Sequence, residues 1–378
     1  MPFIERYPFL FQINRNSDTF ADMNPIRRLA GQTAIYGIPS ILGRFFNYLL
    51  VPLYTYGLLT TQEYGVVNLF YSYAALIMVI LTYGMETAFF RFSESESDRT
   101  KVYSTATFSL LFSSIAFLVP VTLFSPNIAR WIDYEAYPHF VVWFAWIMAL
   151  DAVSAIPFAK LRADNRPFWF ATVKSVNIFT NILFNLFFLL ACPYLDTAWQ
   201  GSEAGTLLRL IYRPDWVMEY IFISNLIASI VTVVLLLPEF RLLRRMVDPA
   251  ILRRMLAYSL PLMIAGMAGI INETVDRIML RYMLPLGPAE AEAQVGIYSA
   301  CYKIAVLMVL FIQAYRFATE PFFFSRMKDQ DAGAMYARVM DFFIIAVTFI
   351  YLITMVFLDT IFIRFTGPAF REARAVIP

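Results

Sequence analysis

Long apolar runs separated by short polar segments make up most of the chain. Nine runs are long enough to cross about 30 Å of hydrocarbon as a helix. They lie at about 31–56, 65–90, 102–124, 139–159, 168–192, 216–238, 256–283, 296–318 and 337–363. A tenth run begins near Phe370 and is cut off at Pro378. The pattern predicts an all-α polytopic membrane protein.

Basic residues are concentrated in every second polar segment. Lys and Arg cluster around 27–28, 91–101, 160–166, 241–254 and 326–338, whereas the alternate segments are much poorer in them. By the positive-inside rule, we predict a cytoplasmic N-terminus. Residues 1–22 lack the apolar core and cleavage site of a signal peptide, and we expect them to form a disordered lead.

Composition excludes several classes of protein. Of the 378 residues, 60% are hydrophobic and only 15% charged, unlike a soluble domain or a disordered chain. The net charge of +2 gives no indication of nucleic-acid binding. Two cysteines and a single histidine form no metal-binding pattern, so no metal or cofactor is predicted. No P-loop, HExxH or GxSxG motif is present, and we do not predict an enzyme.

The seventh span carries charges that a lipid-facing helix would not keep. Each charge near the bilayer centre costs about 2.5–3.5 kcal/mol even on the insertion scale. At 100° per residue, one side of this helix holds Gly266, Gly269, Glu273, Asp276 and Arg277. We expect that side to face protein or a water-filled cavity. The alternative is that Glu273 and Arg277, at i,i+4 spacing, form a structural pair while the glycines allow close packing.

Three further spans carry cations. Arg44 lies near the middle of the first span, where a guanidinium suits a phosphate or carboxylate ligand; a buried partner such as Glu86 or Asp151 is the alternative. In the fifth span, one helical side carries the polar stripe Lys174, Asn177, Asn181 and Asn185. We interpret the stripe as the wall of a hydrated passage, against the alternative of interhelical hydrogen bonding. Lys303 adds a cation in the eighth span.

The two halves of the chain repeat local motifs. Ile38-Pro39-Ser40 is echoed by Leu260-Pro261-Leu262, and Tyr64-Gly65-Val66 by Val295-Gly296-Ile297. A repeat displaced by six spans keeps the same topology, so the halves should be related by an axis along the membrane normal, with a substrate cavity between them. We predict a six-helix bundle at 23–245 and a partial second bundle of about three and a half helices at 246–378.

At these residues the chain resembles the polysaccharide-transport branch of the MOP exporters, which includes the Wzx-type O-antigen flippases. The resemblance covers Asn24–Phe92, with its LTTQEYG turn, and the SLPLMIAG segment that starts at Ser259. It implies a MOP/MATE-like fold of two bundles. Because only nine and a half spans are present, we expect the second bundle to be truncated and the chain to be either a fragment or a shortened gene product.

The resemblance also implies a function. Such a protein would move an undecaprenyl-pyrophosphate-linked oligosaccharide across the bacterial inner membrane, for lipopolysaccharide, capsule or exopolysaccharide biosynthesis. Substrate-binding residues would be Arg44, Lys174, Asn177, Asn181, Asn185 and Lys303. Ion-coupling residues or counter-ions would be Asp151, Glu273, Asp276 and Arg277. The expected partners are the lipid-linked glycan, the bilayer and other membrane proteins of polysaccharide assembly. A MATE-like ion-coupled antiporter of small molecules and an inactive truncated homologue are the alternatives.

Overall fold

The computed structural model describes residue 43 and residues 45–243, 247–326 and 332–372. In these residues the chain is helical, with turns and short connections but no strand. Helix is the expected form for an apolar span, because the backbone polar groups must be satisfied within the segment. The prediction of an all-α polytopic membrane protein is confirmed.

The helices follow the predicted spans closely. The described helices are α1 (45–53), α2 (Thr61–Thr82), α3 (Met85–Ser95), α4 (Arg99–Leu123), α5 (Ser125–Trp131), α6 (Pro138–Ala163), α7 (Pro167–Leu186), α8 (Cys192–Ala198), α9 (Glu203–Ile211), α10 (Val217–Phe240), α11 (Pro249–Met283), α12 (Pro288–Arg326), α13 (Ala332–Val356) and α14 (Leu358–Phe365). π-Helical turns continue α1 at Tyr54–Leu58 and α7 at Phe187–Ala191, and a 3₁₀ turn at Pro368–Phe370 follows α14.

Seven helical stretches of the described residues are long and apolar enough to cross a membrane. They are Thr61–Ser95, Arg99–Leu123, Pro138–Ala163, Pro167–Ala198, Val217–Phe240, Pro249–Met283 and Met335–Val356. They match the second to seventh and the ninth predicted spans. The first predicted span is described only in part, and the eighth lies within α12, which is not one of the seven. The ninth ends before the predicted 363, because the backbone leaves the helical conformation at Phe357.

Residues 45–243, the first half below, contain most of the largest cluster of buried hydrophobic side chains. Its centre is an aromatic cluster in which Phe70, Phe140, Phe144 and Phe222 lie with ring centroids 4.8–6.0 Å apart. All four side chains are buried. Between membrane spans such contacts stabilise mainly through van der Waals packing, because lipid chains are as apolar as the side chains. This cluster joins α2, α6 and α10, and so it holds α2 in place against the rest of the first half.

Residues 247–372, the second half below, meet the first half most extensively where α12 packs on α2. A methyl group on Gly65 would overlap the carbonyl oxygen of Glu292, and one on Gly296 would overlap that of Thr61. Glu292 lies four residues before Gly296, and Thr61 lies four residues before Gly65. The contact is therefore reciprocal, as expected where a two-fold axis relates two helices, and it agrees with the predicted match between the two glycine motifs.

The membrane-spanning part of the second half is much less covered by protein. Some 61% of the most apolar stretch of α6 is buried, against 11% for α11 and none for α13. On α11, a methyl group added to Gly266 would lie 3.6 Å from the Val79 side chain, an ordinary van der Waals distance, and one added to Gly269 would have no described atom within 4 Å. The space beside both glycines would accommodate a methyl group, so the described residues give the close-packing alternative no support.

The predicted domain limits remain predictions. The boundary at 245/246 lies among residues 244–246, outside the described part, as does the expected disordered lead at 1–22. Helices on both sides of the boundary pack together, since α11 contacts α2, α3 and α4.

Candidate functional site

A cavity of about 300 Å³ lies where α1 and α2 meet α11 and α12. Its lining residues are Asn47, Tyr48, Asn68, Tyr71, Ser72, Glu273, Thr274, Arg277, Tyr302 and Lys303. Three of the predicted site residues, Glu273, Arg277 and Lys303, are thus brought together on two helices of the second half. The cavity lies between the two halves, which is where the internal repeat predicts it.

The lining residues that the structure describes on the first-half wall are polar and uncharged. Spacings of three and four residues put Asn68, Tyr71 and Ser72 on one side of α2. The Asn68 amide donates a hydrogen bond to the Tyr64 carbonyl oxygen at 2.7 Å, and the Ser72 hydroxyl donates to the Asn68 carbonyl oxygen at 2.9 Å. The Asn225 amide donates to the Tyr71 hydroxyl at 3.2 Å. Polar residues at this spacing in an apolar span are a sequence signal for this wall, which our site prediction missed.

On the second-half wall, Arg277 is buried and held by neighbours from two helices. Its Nη1 donates to the carbonyl oxygen of Glu273 at 2.8 Å and to the Asp276 carboxylate at 3.3 Å. Its guanidinium lies over the Tyr302 ring, 4.6 Å from the centroid. Tyr298 donates to the other carboxylate oxygen of Asp276. The ion pair of Arg277 is therefore with Asp276, and the alternative that its charge is neutralised by Glu273 is wrong.

Glu273 and Lys303 put opposite charges into the same cavity. The Glu273 side chain is exposed, and that of Lys303 is half-buried on the neighbouring helix. Charges in a confined space of this kind interact more strongly than in bulk water, because less solvent is present to screen them. A ligand in the cavity would meet both an ammonium and a carboxylate.

Lys174 and Asp151 lie away from this cavity, inside the first half. Lys174 is not among the lining residues; its ammonium lies over the Phe158 ring, 4.3 Å from the centroid. The Asp151 carboxylate accepts a hydrogen bond from the Ser229 hydroxyl at 2.8 Å. The structure therefore does not bring these two predicted site residues together with Glu273, Arg277 and Lys303.

The asparagines of the α7 stripe bond to neighbouring helices or to each other. Asn177 donates to the Thr232 hydroxyl of α10 at 2.9 Å. Asn185 donates to the backbone and side-chain oxygens of Asn181, at 2.8 and 3.0 Å, and accepts from the Tyr54 hydroxyl at 2.9 Å. This arrangement favours the alternative of interhelical bonding. A role of the stripe in a passage remains a prediction.

Arg44 lies outside the described residues. The two partners considered for it as an alternative both have other contacts. Glu86 pairs with Arg162, and Asp151 accepts its bond from Ser229. Asn47, three residues further along the first span, lines the cavity.

A buried ionic network at one end of the cavity helices escaped prediction. Arg281 and Glu292 are almost fully buried and lie 3.2 Å apart. Gln62 donates to Glu292 at 2.9 Å, and Asp133 lies 3.8 Å from Arg281. The network ties α2, α11, α12 and the α5–α6 connection together. Sequence reasoning missed it because α12 begins at Pro288, eight residues before the predicted span, which placed Glu292 in a loop.

Ion pairs also hold the ends of helices at the basic segments. Buried Glu239 of α10 pairs with Lys160 at 3.3 Å and with Arg166, which joins α10 to the end of α6 and the start of α7. Asp248 caps α11 and pairs with Lys101 of α4 at 2.7 Å. The hydrogen bond from the Lys101 ammonium, together with backbone N–H donors, lowers the pKa of Asp248 below its usual value.

Comparison with known proteins gives one result. Residues 29–325 match the family model described as polysaccharide biosynthesis protein. Comparison with curated proteins and with solved structures gives no match. The matched range includes α1, α2, α11 and nearly all of α12, and with them every lining residue of the cavity.

Proposed function

The chain belongs to the polysaccharide biosynthesis protein family of the MOP exporter superfamily, and from that membership we propose that it moves an undecaprenyl-pyrophosphate-linked oligosaccharide across a membrane. Proteins of this family are membrane transporters or flippases rather than enzymes, and their substrates are glycans. We further propose that the membrane is the bacterial inner membrane, with the N-terminus in the cytoplasm. The exported glycan would serve lipopolysaccharide, capsule or exopolysaccharide biosynthesis.

The observation that carries the proposal is the cavity between the halves. A diphosphate bearing a sugar cannot cross hydrocarbon, because uncompensated charge there is costly. It can cross a polar cleft in which cations offset its charge while the prenyl tail stays in lipid. Lys303 and Arg277 line such a cleft. Arg44 and Lys174 remain predicted contacts further along the path, whereas the hydrogen bonds of the α7 asparagines favour a structural role for them.

Transport would require the cavity to open to each side in turn, through rocking of the two halves. Of the acidic residues predicted to couple ions, Glu273 is the best candidate, since its exposed carboxylate lines the cavity. Asp276 is held by Arg277 and Tyr298, and Asp151 by Ser229. These two acids fit the role of counter-ion or hydrogen-bond acceptor better.

A MATE-like antiporter of small cations is the second candidate, and Glu273 in the cavity is the observation in its favour. That function needs a binding site dominated by acidic groups. The described lining residues are not dominated by acids: they hold the carboxylate of Glu273, the ammonium of Lys303 and the guanidinium of Arg277, which is paired with Asp276. An anionic substrate fits this balance better.

The experiment is glycan export in a bacterial strain whose own flippase is deleted. The chain is produced as wild type, Lys303→Ala and, as a control, Arg130→Ala, whose side chain forms an exposed pair with Glu135. At matched membrane amounts, we expect the wild type and the control to restore export and Lys303→Ala to lower it at least tenfold. Full export by Lys303→Ala would contradict the site. No export by the wild type in strains with different lipid-linked glycans would contradict the function.

A further inference from the structure

Helix α9 carries three large apolar side chains that are mostly exposed. The exposed fractions of Leu207, Leu210 and Ile211 are 66%, 78% and 62%. The helix is short and lies in the connection between α8 and α10, at the ends of two membrane spans. A contiguous apolar surface of this kind indicates contact with another protein or with lipid.

The opposite side of α9 is fixed against the first half. Gly205 and Leu208 are buried, and a methyl group on Gly205 would overlap the carbonyl oxygen of Trp199. Just after the helix, buried Tyr212 stacks on Tyr220 of α10, with ring centroids 5.6 Å apart. The fold therefore sets the direction in which the exposed side chains of α9 point.

The exposed residues of α9 separate into an apolar and a polar side. At 100° per residue, Leu207, Leu210 and Ile211 lie within about 100° of one another. Thr206 and Arg209 lie within about 60° of each other, and the buried side separates them from the apolar residues in one direction around the helix. Each of the three sides takes roughly a third of the circumference.

Three different sides fit a helix that has three different neighbours. A helix on the flank of the bundle, at the level of the membrane surface, meets protein on one side, water above and lipid below and outward. A helix that lay on top of the bundle would meet only protein and water. Its exposed apolar and polar residues would then have no physical reason to be segregated.

Two tryptophans and the length of the preceding span indicate the depth of α9. Trp199 follows the last residue of α8 and Trp216 precedes the first residue of α10, and tryptophan is enriched at membrane–water interfaces. The span Pro167–Ala198 has 32 residues. At 1.5 Å per residue it extends roughly 48 Å, which exceeds the hydrocarbon thickness of about 30 Å. Helix α9 therefore lies at the level of the lipid headgroups.

We propose that α9 is an interfacial helix that binds the lipid surface, with Leu207, Leu210 and Ile211 inserted at the boundary between headgroups and acyl chains. Amphipathic helices in the interface bury their apolar side about 5–10 Å deep. The leaflet is the one opposite the basic connections, which is the outer leaflet in the predicted orientation. The proposal does not depend on what the protein transports.

The charged residues of α9 are compatible with this position. Arg209, on the polar side, forms an ion pair with Asp196 of α8 at 2.7 Å. Glu203 is the first residue of the helix, where a carboxylate is favoured by the positive end of the helix dipole. Both charges thus have a compensating partner that does not require a second protein.

Fluorescence quenching in phosphatidylcholine vesicles tests the placement. The full-length chain is reconstituted with a nitrobenzoxadiazole label on Leu210→Cys or, as the matched control on the polar side, on Thr206→Cys. The native residues Cys192 and Cys301 are buried, and the wild type treated with the same reagent gives the background. Lipids brominated on the acyl chain should quench the label at 210 at least about threefold more strongly than the label at 206. Iodide in the water should show the opposite preference.

The position of the bromine adds a measurement of depth. Bromine on the upper part of the acyl chain should quench the label at 210 more strongly than bromine near the chain end, because the apolar side enters only the boundary region. Leu207→Cys repeats both measurements on the apolar side, should the label at 210 disturb the fold.

Three results would overturn the proposal. Equal quenching of the two labels by iodide would show that the apolar side faces water. Protection of the label at 210 from both iodide and bromine would show that another protein covers this side. Stronger quenching by bromine near the chain end would place α9 within the hydrocarbon. None of these results would affect the proposed function, which glycan export tests separately.

Discussion

Helices α7 and α11 both carry polar residues along an apolar span, yet the two sets of residues have different surroundings. On α7, Asn177 bonds to Thr232 of α10, and Asn185 bonds to Asn181 and Tyr54. On α11, the carboxylate of Glu273 is exposed towards a cavity shared with the first half. One set joins helices, while the other faces a space that a ligand can enter.

The difference lies in what the neighbouring helices supply. The polar side of α7 faces α10 and the end of α1, so its asparagines meet Thr232 and Tyr54 within hydrogen-bond distance. The most apolar stretch of α11 is only 11% buried, and the exposed carboxylate of Glu273 lines the cavity instead. A polar group in a membrane span therefore indicates a ligand site only where the protein does not itself supply the partner.

The largest expected effect is a difference in the free energy of unfolding between two Glu→Gln variants, one in each half. Glu239→Gln leaves Lys160 and Arg166 beside a neutral group, and removing one partner of a buried ion pair costs about 3–5 kcal/mol. We expect Glu239→Gln to lower the free energy of unfolding by an amount near the lower end of this range, because Arg166 is about one-third exposed. Glu273→Gln should change the free energy of unfolding by less than about 0.5 kcal/mol, as at other exposed positions.

Unfolding of both variants in mixed micelles with increasing dodecyl sulfate measures this difference. Glu135→Gln serves as a control, because its pair with Arg130 is exposed and such pairs contribute little. Equal losses for Glu239→Gln and Glu273→Gln would remove the distinction between structural charges in the first half and cavity charges in the second.

A smaller effect is expected for the asparagine stripe. Asn177→Ala removes the bond to Thr232, and interhelical hydrogen bonds in membranes contribute about 0.6 kcal/mol on average and up to about 1.7. We expect that loss of stability, with glycan export unchanged at matched membrane amounts. Thr232→Ala should have the same effect, and the double variant should add little more, because both changes remove one bond. A loss of export with unchanged stability would instead support the stripe as part of the passage.

The smallest effect is a dependence of stability on pH at the ion pair between Asp248 and Lys101, which links the two halves. The pKa of Asp248 is lowered, chiefly by Lys101, so its ionised form stabilises the folded state above its unfolded pKa of about 3.9. That contribution is lost as the pH falls through the lower pKa of the folded state. Asp248→Asn keeps a good helix cap and removes only the charge.

The measurement is the stability difference between the wild type and Asp248→Asn. It should be constant from pH 7 to pH 5 and shrink below about pH 4. A difference that stays the same down to pH 3 would show that the Asp248–Lys101 pair contributes nothing that depends on ionisation.

The sequence predicts the helices well because apolar length alone decides whether a segment can span a membrane. It also indicates Glu273, Arg277 and Lys303 as candidate site residues, since charges in apolar spans are rare. It predicts Gly65 and Gly296 as equivalent residues, because the repeat motifs can be aligned without a structure.

The pairing of these residues could not be predicted from the sequence. The i,i+4 spacing favours Glu273 as the partner of Arg277, but the rotamer adopted turns the guanidinium towards Asp276 and Tyr302. Likewise, the periodicity of α7 gives the side on which Asn177 lies but not that Thr232 faces it. Which helix lies opposite a polar side depends on tertiary packing, and a single sequence does not record that.

The contact between Gly65 and Gly296 has a mechanical consequence. With no side chains between them, the two backbones are already as close as sterics allow, so this point can serve as a fulcrum but cannot be compressed further. From Gly65 to Thr82, α2 extends 17 residues, or roughly 26 Å at 1.5 Å per residue. For each 10° or so of tilt about the fulcrum, the far end of α2 sweeps about 4–5 Å, whereas Ser72, seven residues away, moves less than about 2 Å. A tilt of α2 about this contact therefore moves the Thr82 end of the helix by several ångströms and leaves Ser72 and its neighbours at the cavity nearly in place.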